Sequence, residues 1–168
     1  MIIRPTTEED WEILKEIRLA SLLDAPTAFG VSHASASAYS DSDWRDRASN
    51  RGRAQFLLAC VNGVAVGMVG GVVSPTLEFN LIAMWIRPEY RGTGAAAGLV
   101  NSIKTRAVSQ GHPRVVLDVS QDNERAAAFY RKQGFSFLPE WEALASHPHI
   151  DVQKMEWRAS ISRSAPSD

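Results

Sequence analysis

The run Arg91-Gly92-Thr93-Gly94-Ala95-Ala96-Ala97 has the residue types and spacing to handle a charged ligand. Two glycines one residue apart let the backbone approach an anion closely, and the small residues after them leave the first free N–H groups of a helix uncovered. Upstream, Leu81 to Ile86 reads as an apolar strand, and Pro88 stops it because proline lacks an N–H and fixes φ. Strand, basic residue, glycine turn and helix start together make a backbone site for a phosphorylated ligand.

Two common phosphate motifs compete for this turn. A P-loop needs Gly-x4-Gly-Lys-Ser/Thr, which the chain lacks. Gly92, Gly94 and Ala97 do match the dinucleotide pattern, with Asp118 placed as a ribose-binding acid would be. Against it, Arg87 to Tyr90 stand between the strand and Arg91. Too little chain also follows the turn for the further β-α units of that fold. Other reactive side chains carry less. Cys60 lies in an apolar run and reads as a small buried hydrophobe. His147 and His149 would share a strand face but have no third ligand near in sequence, so no metal site is expected. His33 reads as a surface residue close to a loop.

The elements that must position the turn are legible in outline. Ile2 to Arg4 is a short strand ended by Pro5, and Thr6 to Glu9 has the form of a capping box. Trp11, Leu14, Arg18 and Leu22, with Ile17 beside them, predict a helix over about Glu8 to Leu23. Asp24 to Gly30 is rich in turn residues, Ser32 to Ser42 is weak helix or loop, and Ser42 is expected to cap a helix reaching about Asn50. Gln55 to Val61 and Val64 to Val73 flank Asn62-Gly63, a strong hairpin signal because both turn positions need φ > 0. Gly67, Gly70 and Gly71 suggest a bulge or a close backbone neighbour. Leu77 to Ile86 is the third strand of this meander.

After the glycine turn, Ala96, Leu99, Val100, Ile103 and Ala107 recur at helical spacing until Gly111 and Pro113. Arg114 to Val119 is a strand, Glu124 to Gln133 a helix, and Phe135 to Leu138 and Ile150 to Trp157 the last strands. A loop with Pro139, His147, Pro148 and His149 is expected between them. The order β-α-α-β-β-β-α-β-α-β-β describes an α/β fold with a mixed sheet, one domain over 1–158 and a polar, disordered tail over 159–168.

The chain has 168 residues, with 18 Lys plus Arg against 19 Asp plus Glu and a formal net charge of −1. That balance argues against nucleic-acid or membrane-surface binding, which need a basic excess. No leader or long apolar span is visible, so a soluble cytoplasmic protein is expected.

Arg91-x-x-Gly94-x-Ala96 resembles the Arg/Gln-x-x-Gly-x-Gly/Ala motif of the GNAT family, the acyl-CoA-dependent N-acetyltransferases. Asn123-x-x-Ala126-x-x-x-Tyr130-x-x-x-Gly134-Phe135 resembles the family's second signature, and the element order matches from Ile2 to Trp157. Arg18 to Gly30 further resembles one branch of small bacterial GNAT proteins. The resemblance implies that acetyl-CoA is the co-substrate and that the backbone from Arg91 to Ala97, including Gly92, Thr93 and Ala95, holds its pyrophosphate. Met84, Trp85 and Ile86 would offer backbone groups to the pantetheine arm, provided their strand splays from Arg114–Val119. Asn123 and Ala126 would contact the same arm, and Tyr130 would protonate the departing thiolate. The partner is a small-molecule or peptide amine, with a homodimer allowed for because such dimers are common in the family.

An amine of pKa about 10.4 is neutral in only roughly one molecule in two thousand at pH 7, so a proton acceptor is expected. Many relatives carry a glutamate where this chain has Asn80, which cannot take a proton. Glu78, two residues away on the same strand face, is the fallback, with proton loss through ordered water equally open. Asn80 also keeps a second reading alive: a CoA-binding sensor or interaction protein with weak chemistry.

Overall fold

The computed structural model describes residues 1–160. Seven strands form one sheet: β1 (Ile2–Pro5), β2 (Ala54–Val61), β3 (Val64–Val73), β4 (Phe79–Ile86), β5 (Arg114–Ser120), β6 (Ser136–Leu144) and β7 (His147–Arg158). Their spatial order is β1-β2-β3-β4-β5-β7-β6. All neighbours are antiparallel except β4 and β5. Helices α1 (Trp11–Asp24), α2 (His33–Ser37) and α3 (Asp41–Ala48) separate β1 from β2, α4 (Ala95–Ser109) joins β4 to β5, and α5 (Glu124–Lys132) joins β5 to β6.

Two cores explain the near-continuous apolar runs of the central strands. Leu57, Ala59, Val66, Val69 and Phe79 pack with Leu99, Val100 and Ile103 of α4. On the other face Phe56, Leu58, Cys60 and Met68 pack with Leu14, Ile17 and Leu22 of α1 and Trp44 of α3. Strands covered on both sides have no solvent face, so they read as apolar throughout rather than alternating. Cys60 is a buried free thiol, as expected. The β2–β3 hairpin turns at Asn62 (φ 49°) and Gly63 (φ 79°), both left-handed as the turn type demands. Gly71 is glycine for lack of room: a Cβ there would lie 2.6 Å from Cζ of Phe79, a ring that is itself buried.

Several boundaries differ from expectation. The capping interaction at the first helix sits one residue later, with the Thr7 N–H donating to Asp10 Oδ2 at 2.8 Å, while Thr6 Oγ1 donates to the Ala48 carbonyl. Ser40 rather than Ser42 caps α3, accepting from the Asp43 N–H. Three helices, not two, fill the β1–β2 connection, because Ser32 caps the short α2. β4 starts at Phe79, since Leu77 takes φ 64° in the preceding turn. The expected long loop before the last strand is instead a hairpin, β6 and β7 meeting across Leu144 and His147. Pro139 is tolerated where the β6 register slips between Phe137 and Trp141. The expected tail lies, from residue 161 on, outside the described residues. No helix of the described residues is long and apolar enough to cross a membrane.

Arg4 and Asp10 tie β1 to the start of α1 through two hydrogen bonds, at 2.7 and 2.9 Å. The Arg4 guanidinium, aided by the Thr7 N–H, holds the Asp10 carboxyl down at about 2 against 3.8 for the free group. A carboxyl depressed on folding adds stability above its unfolded value and loses it as pH falls through the folded one. Acid titration followed by circular dichroism is therefore expected to show a loss between about pH 4 and 2 that Asp10→Asn flattens. The same variant should cost roughly 1–3 kcal/mol at neutral pH.

Candidate functional site

The parallel pair β4·β5 holds register only at Phe79↔Val115 and Asn80↔Val116. Beyond Asn80 the strands diverge, leaving Leu81–Ile86 with one hydrogen-bonding edge unpaired. A bulge redirects β4 at this point. Ala83 takes φ 56°, and the β3 register slips so that Met68 faces Trp85 while Gly70 faces Ile82. Leu81, Met84 and Ile86 therefore face the α4 core, while Ile82, Ala83 and Trp85 face the α1 core. The gap opens into a cleft of about 480 Å³. It is walled by β4 and β5, by Asn123 just before α5 and Ala126 and Tyr130 on it, by Phe29 and Val31 of the α1–α2 loop, and by Glu142 to Ala145 at and just past the end of β6.

The glycine turn lies beyond the open end of β4. Pro88 to Tyr90 form one 3₁₀ turn, Thr93 Oγ1 donates to the Tyr90 carbonyl, and Gly92 (φ 81°) and Gly94 (φ 87°) are left-handed. The N–H groups of Gly92 to Ala97 donate to no described residue, and a Cβ at Gly92 or Gly94 would meet open space. This is room for a ligand over a row of free donors at a helix N-terminus, the arrangement that suits a pyrophosphate. The free row begins one residue later than expected, because the Arg91 N–H donates to the Pro88 carbonyl. The Arg91 side chain turns back as well: Nε donates to the Ile86 carbonyl at 3.2 Å and Nη2 to Asp24 at 2.8 Å. The Trp85 indole N–H donates to the same Asp24 oxygen at 3.0 Å. These bonds hold the Asp24 carboxyl below its usual range, the Trp85 bond most, and join the end of α1 to the glycine turn. Trp85 is thus a core aromatic by its side chain, with its backbone on the open edge.

Asn123 caps α5, its Oδ1 accepting from the Ala126 N–H at 3.1 Å, while its amide nitrogen donates to no described residue. One turn past Ala126, Tyr130 lines the cleft between the edges of Phe129 and Phe135, and its hydroxyl makes no hydrogen bond within the described residues. Burial pushes the Tyr130 phenol well above its ordinary pKa, so it keeps its proton. Asn80 lines the cleft and donates to the Glu78 carbonyl.

Glu78 is elsewhere engaged. Its carboxylate accepts from Arg114 at 2.8 Å and Lys154 at 3.3 Å on the face of the sheet, outside the cleft. The carboxylates in the cleft are Asp118 and Glu142, which the sequence reading did not single out for this role. Loss of solvent raises the Asp118 carboxyl above its ordinary value, Glu142 raises it further, and Lys154 opposes both. A lone acid inside an apolar strand was the available signal for Asp118; Glu142 had none, because its segment read as loop.

Arg18 was read as part of a helical stripe and as the start of the Arg18–Gly30 resemblance, with no role in the site. Its guanidinium stacks on Phe29 at 4.8 Å, and the fully enclosed Nη1 has no hydrogen-bond partner. Burial pushes it down to about 10, which leaves it charged at neutral pH. His147 and His149 stack edge to face at 6.0 Å, and no group of three or more metal-binding side chains occurs among the described residues.

The fold and sequence both have known counterparts. Uncharacterised N-acetyltransferases of Mycobacterium bovis and Mycobacterium tuberculosis are 37% identical over 83 residues, 49% of this chain. The matched segment spans about half (53%) of those proteins. Ribosomal-protein-alanine N-acetyltransferase from Brucella melitensis superposes with TM-score 0.76 at 17% identity, over 94% of this chain and 99% of that one. The PaiA N-acetyltransferase of Thermoplasma acidophilum, solved in complex with coenzyme A, superposes with TM-score 0.67 at 18% identity, over 94% and 98%. The model of the Acetyltransferase (GNAT) family matches residues 15–135, a span that takes in all but the first turn of α1, the split between β4 and β5, the glycine turn and all of α5. By that match the chain belongs to the GNAT acetyltransferase family.

Proposed function

We propose that this protein is an N-acetyltransferase that moves an acetyl group directly from acetyl-CoA to a primary amine. The observation that carries the reading is the open edge of β4 leading straight to the free N–H row of Gly92–Ala97. An amide-rich arm can pair with such an edge as an added strand, while the row holds the pyrophosphate behind it. The thioester then lies between Tyr130, Asn123 and the backbone of Met84 to Ile86. The coenzyme A complex of the Thermoplasma relative supports the choice of donor.

Asp118, backed by Glu142, takes the first proton from the bound ammonium and hands it to solvent. The freed amine attacks the thioester carbonyl, whose C–S bond breaks as the Tyr130 hydroxyl supplies a proton to the sulfur. The nitrogen's second proton restores the phenol. The sum is ammonium plus acetyl-CoA giving amide, CoA thiol and one proton. Glu78 has no part in this path, its carboxylate being held by Arg114 and Lys154. Asn80 is compatible with a proton route that lies on β5 and β6 instead of β4.

Acetyl-CoA is expected to raise the melting temperature, with NADH leaving it unchanged, and to release thiol in the presence of a suitable amine; the reverse melting result would sink the donor assignment. Tyr130→Phe should lower kcat by about 10²–10⁴-fold at saturating acetyl-CoA with the melting shift kept. Unchanged turnover would remove the tyrosine from the chemistry. In the pH profile of kcat/KM, the acid limb should follow the raised Asp118 carboxyl, activity increasing as it deprotonates. Asp118→Asn should cut the plateau by about tenfold or more and displace that limb. A limb that stays in place would point to proton loss through water alone.

A further inference from the structure

Resting on the transferase reading above, we infer that the acceptor carries a carboxylate as well as its amine, an amino-acid-type zwitterion with an apolar remainder. Two oppositely charged groups face one cleft: an arginine with an enclosed nitrogen that has no partner, and a pair of solvent-reached carboxylates that form no salt bridge among the described residues. At the α1 wall, Arg18 presents an enclosed Nη1 with no hydrogen-bond partner and a guanidinium whose face is spent on Phe29. At the β5–β6 wall stand Asp118 and Glu142.

A buried donor left unmade is costly, and a charged one more so. The fold keeps Arg18 here in spite of that cost, on the otherwise apolar stripe of Leu14, Ile17 and Leu22. Arg47 lies close enough to depress Arg18 further, and Arg18 forms no ion pair with an acid among the described residues; Tyr39 is the neighbour acting in the other direction. An incoming carboxylate would satisfy Nη1, cancel the buried charge and use the planar fork that guanidinium offers such groups. The amine would then lie toward Asp118, which both attracts it and takes its proton.

The walls between the two poles are Phe29, Val31, Ile82 and Leu144, which set the apolar part of the acceptor. This arm of the cleft is held together by contacts between distant segments. The Ser146 hydroxyl donates to the Phe29 carbonyl at 2.5 Å, so the β6–β7 turn holds the α1–α2 loop in place.

The test is calorimetry on the CoA-saturated protein, titrated with N-acetyl-L-phenylalanine, N-acetyl-L-leucine and N-acetyl-L-valine and with the primary amide of each. At least one carboxylate is expected to bind about 10–100-fold tighter than its amide, and Arg18→Met should bring the pair together. The melting shift with acetyl-CoA should persist in that variant. Arg18→Lys, which keeps the charge without the fork, should retain only part of the preference. Because the pairs are compared first in the unmodified protein, a variant that fails to fold leaves the result readable.

The inference is overturned if every amide binds as tightly as its acid, if no acid binds, or if Arg18→Met keeps the preference. It is overturned too if Arg18→Met weakens acetyl-CoA instead. A preference for phosphoethanolamine over ethanolamine with none among the carboxylate pairs would assign the pole to phosphate and equally end it. Failure of acetyl-CoA to bind at all would sink the transferase reading, a result distinct from these.

Discussion

The whole site depends on two strands that stop pairing. β4 and β5 share only two residue pairs, and every later backbone group on that edge of β4 is left for something other than β5. A strand edge buried without partners is expensive, so a fold keeps one only where a ligand or solvent completes it. The divergence has a local cause. Ala83 in the left-handed region shifts the β4 alternation by one, and the glycines of β3 let Phe79, Ile82 and Ile86 close over the neighbouring strand. A side chain at Gly67 would meet Ile86 Cδ1 at 2.5 Å, so the packing that sets the strand's path also excludes a Cβ there.

Around that opening the two halves of the cleft are stabilised by different means. In the proposed reading the donor half is backbone: an open strand edge, a row of free N–H groups and helix N-termini whose side chains matter mainly by being small. The acceptor half is side chain: Arg18, Phe29, Asp118, Glu142 and Leu144, brought from α1, a loop, β5 and β6. Asp24 links the halves, since a single carboxylate oxygen at the end of α1 accepts from both Trp85 and Arg91. The acceptor-side helix and the phosphate turn are thus braced against each other through one acid.

Charge placement follows the same division. On the sheet face Glu78, Arg114, Lys154 and Glu156 neutralise one another through direct contacts. In the cleft Arg18 and Asp118 form no such ion pairs among the described residues: burial lowers the proton affinity of Arg18, while partial desolvation and the neighbouring Glu142 raise that of Asp118 against the pull of Lys154. Glu78 illustrates why spacing alone misleads. It has the parity of Asn80 but precedes β4, and cations from β5 and β7 reach it across the sheet.

The backbone geometry of the proposed donor half was legible in the chain because its determinants are local. Glycine at positive φ, proline after a strand, an asparagine cap and a tyrosine one turn past Ala126 act through backbone geometry over a few residues, and such geometry is written in residue type. The hairpin at Asn62-Gly63 and the helices α1, α4 and α5 were legible for the same reason. The acceptor half was not. Arg18 fits a helical stripe whether or not a partner waits for it, Asp118 breaks an apolar strand without showing what it faces, and β6 from Pro139 on looked like loop until β7 supplied the pairing. The bulge at Ala83 leaves no mark in composition, because an alanine at φ 56° is imposed by the packing of β3 and α1 and not chosen by the residue. The sequence by itself determined where a phosphate could be held, since that needs only backbone shape. Only the tertiary structure decided which charges meet across the cleft, because their positions depend on strands and helices far apart in the chain.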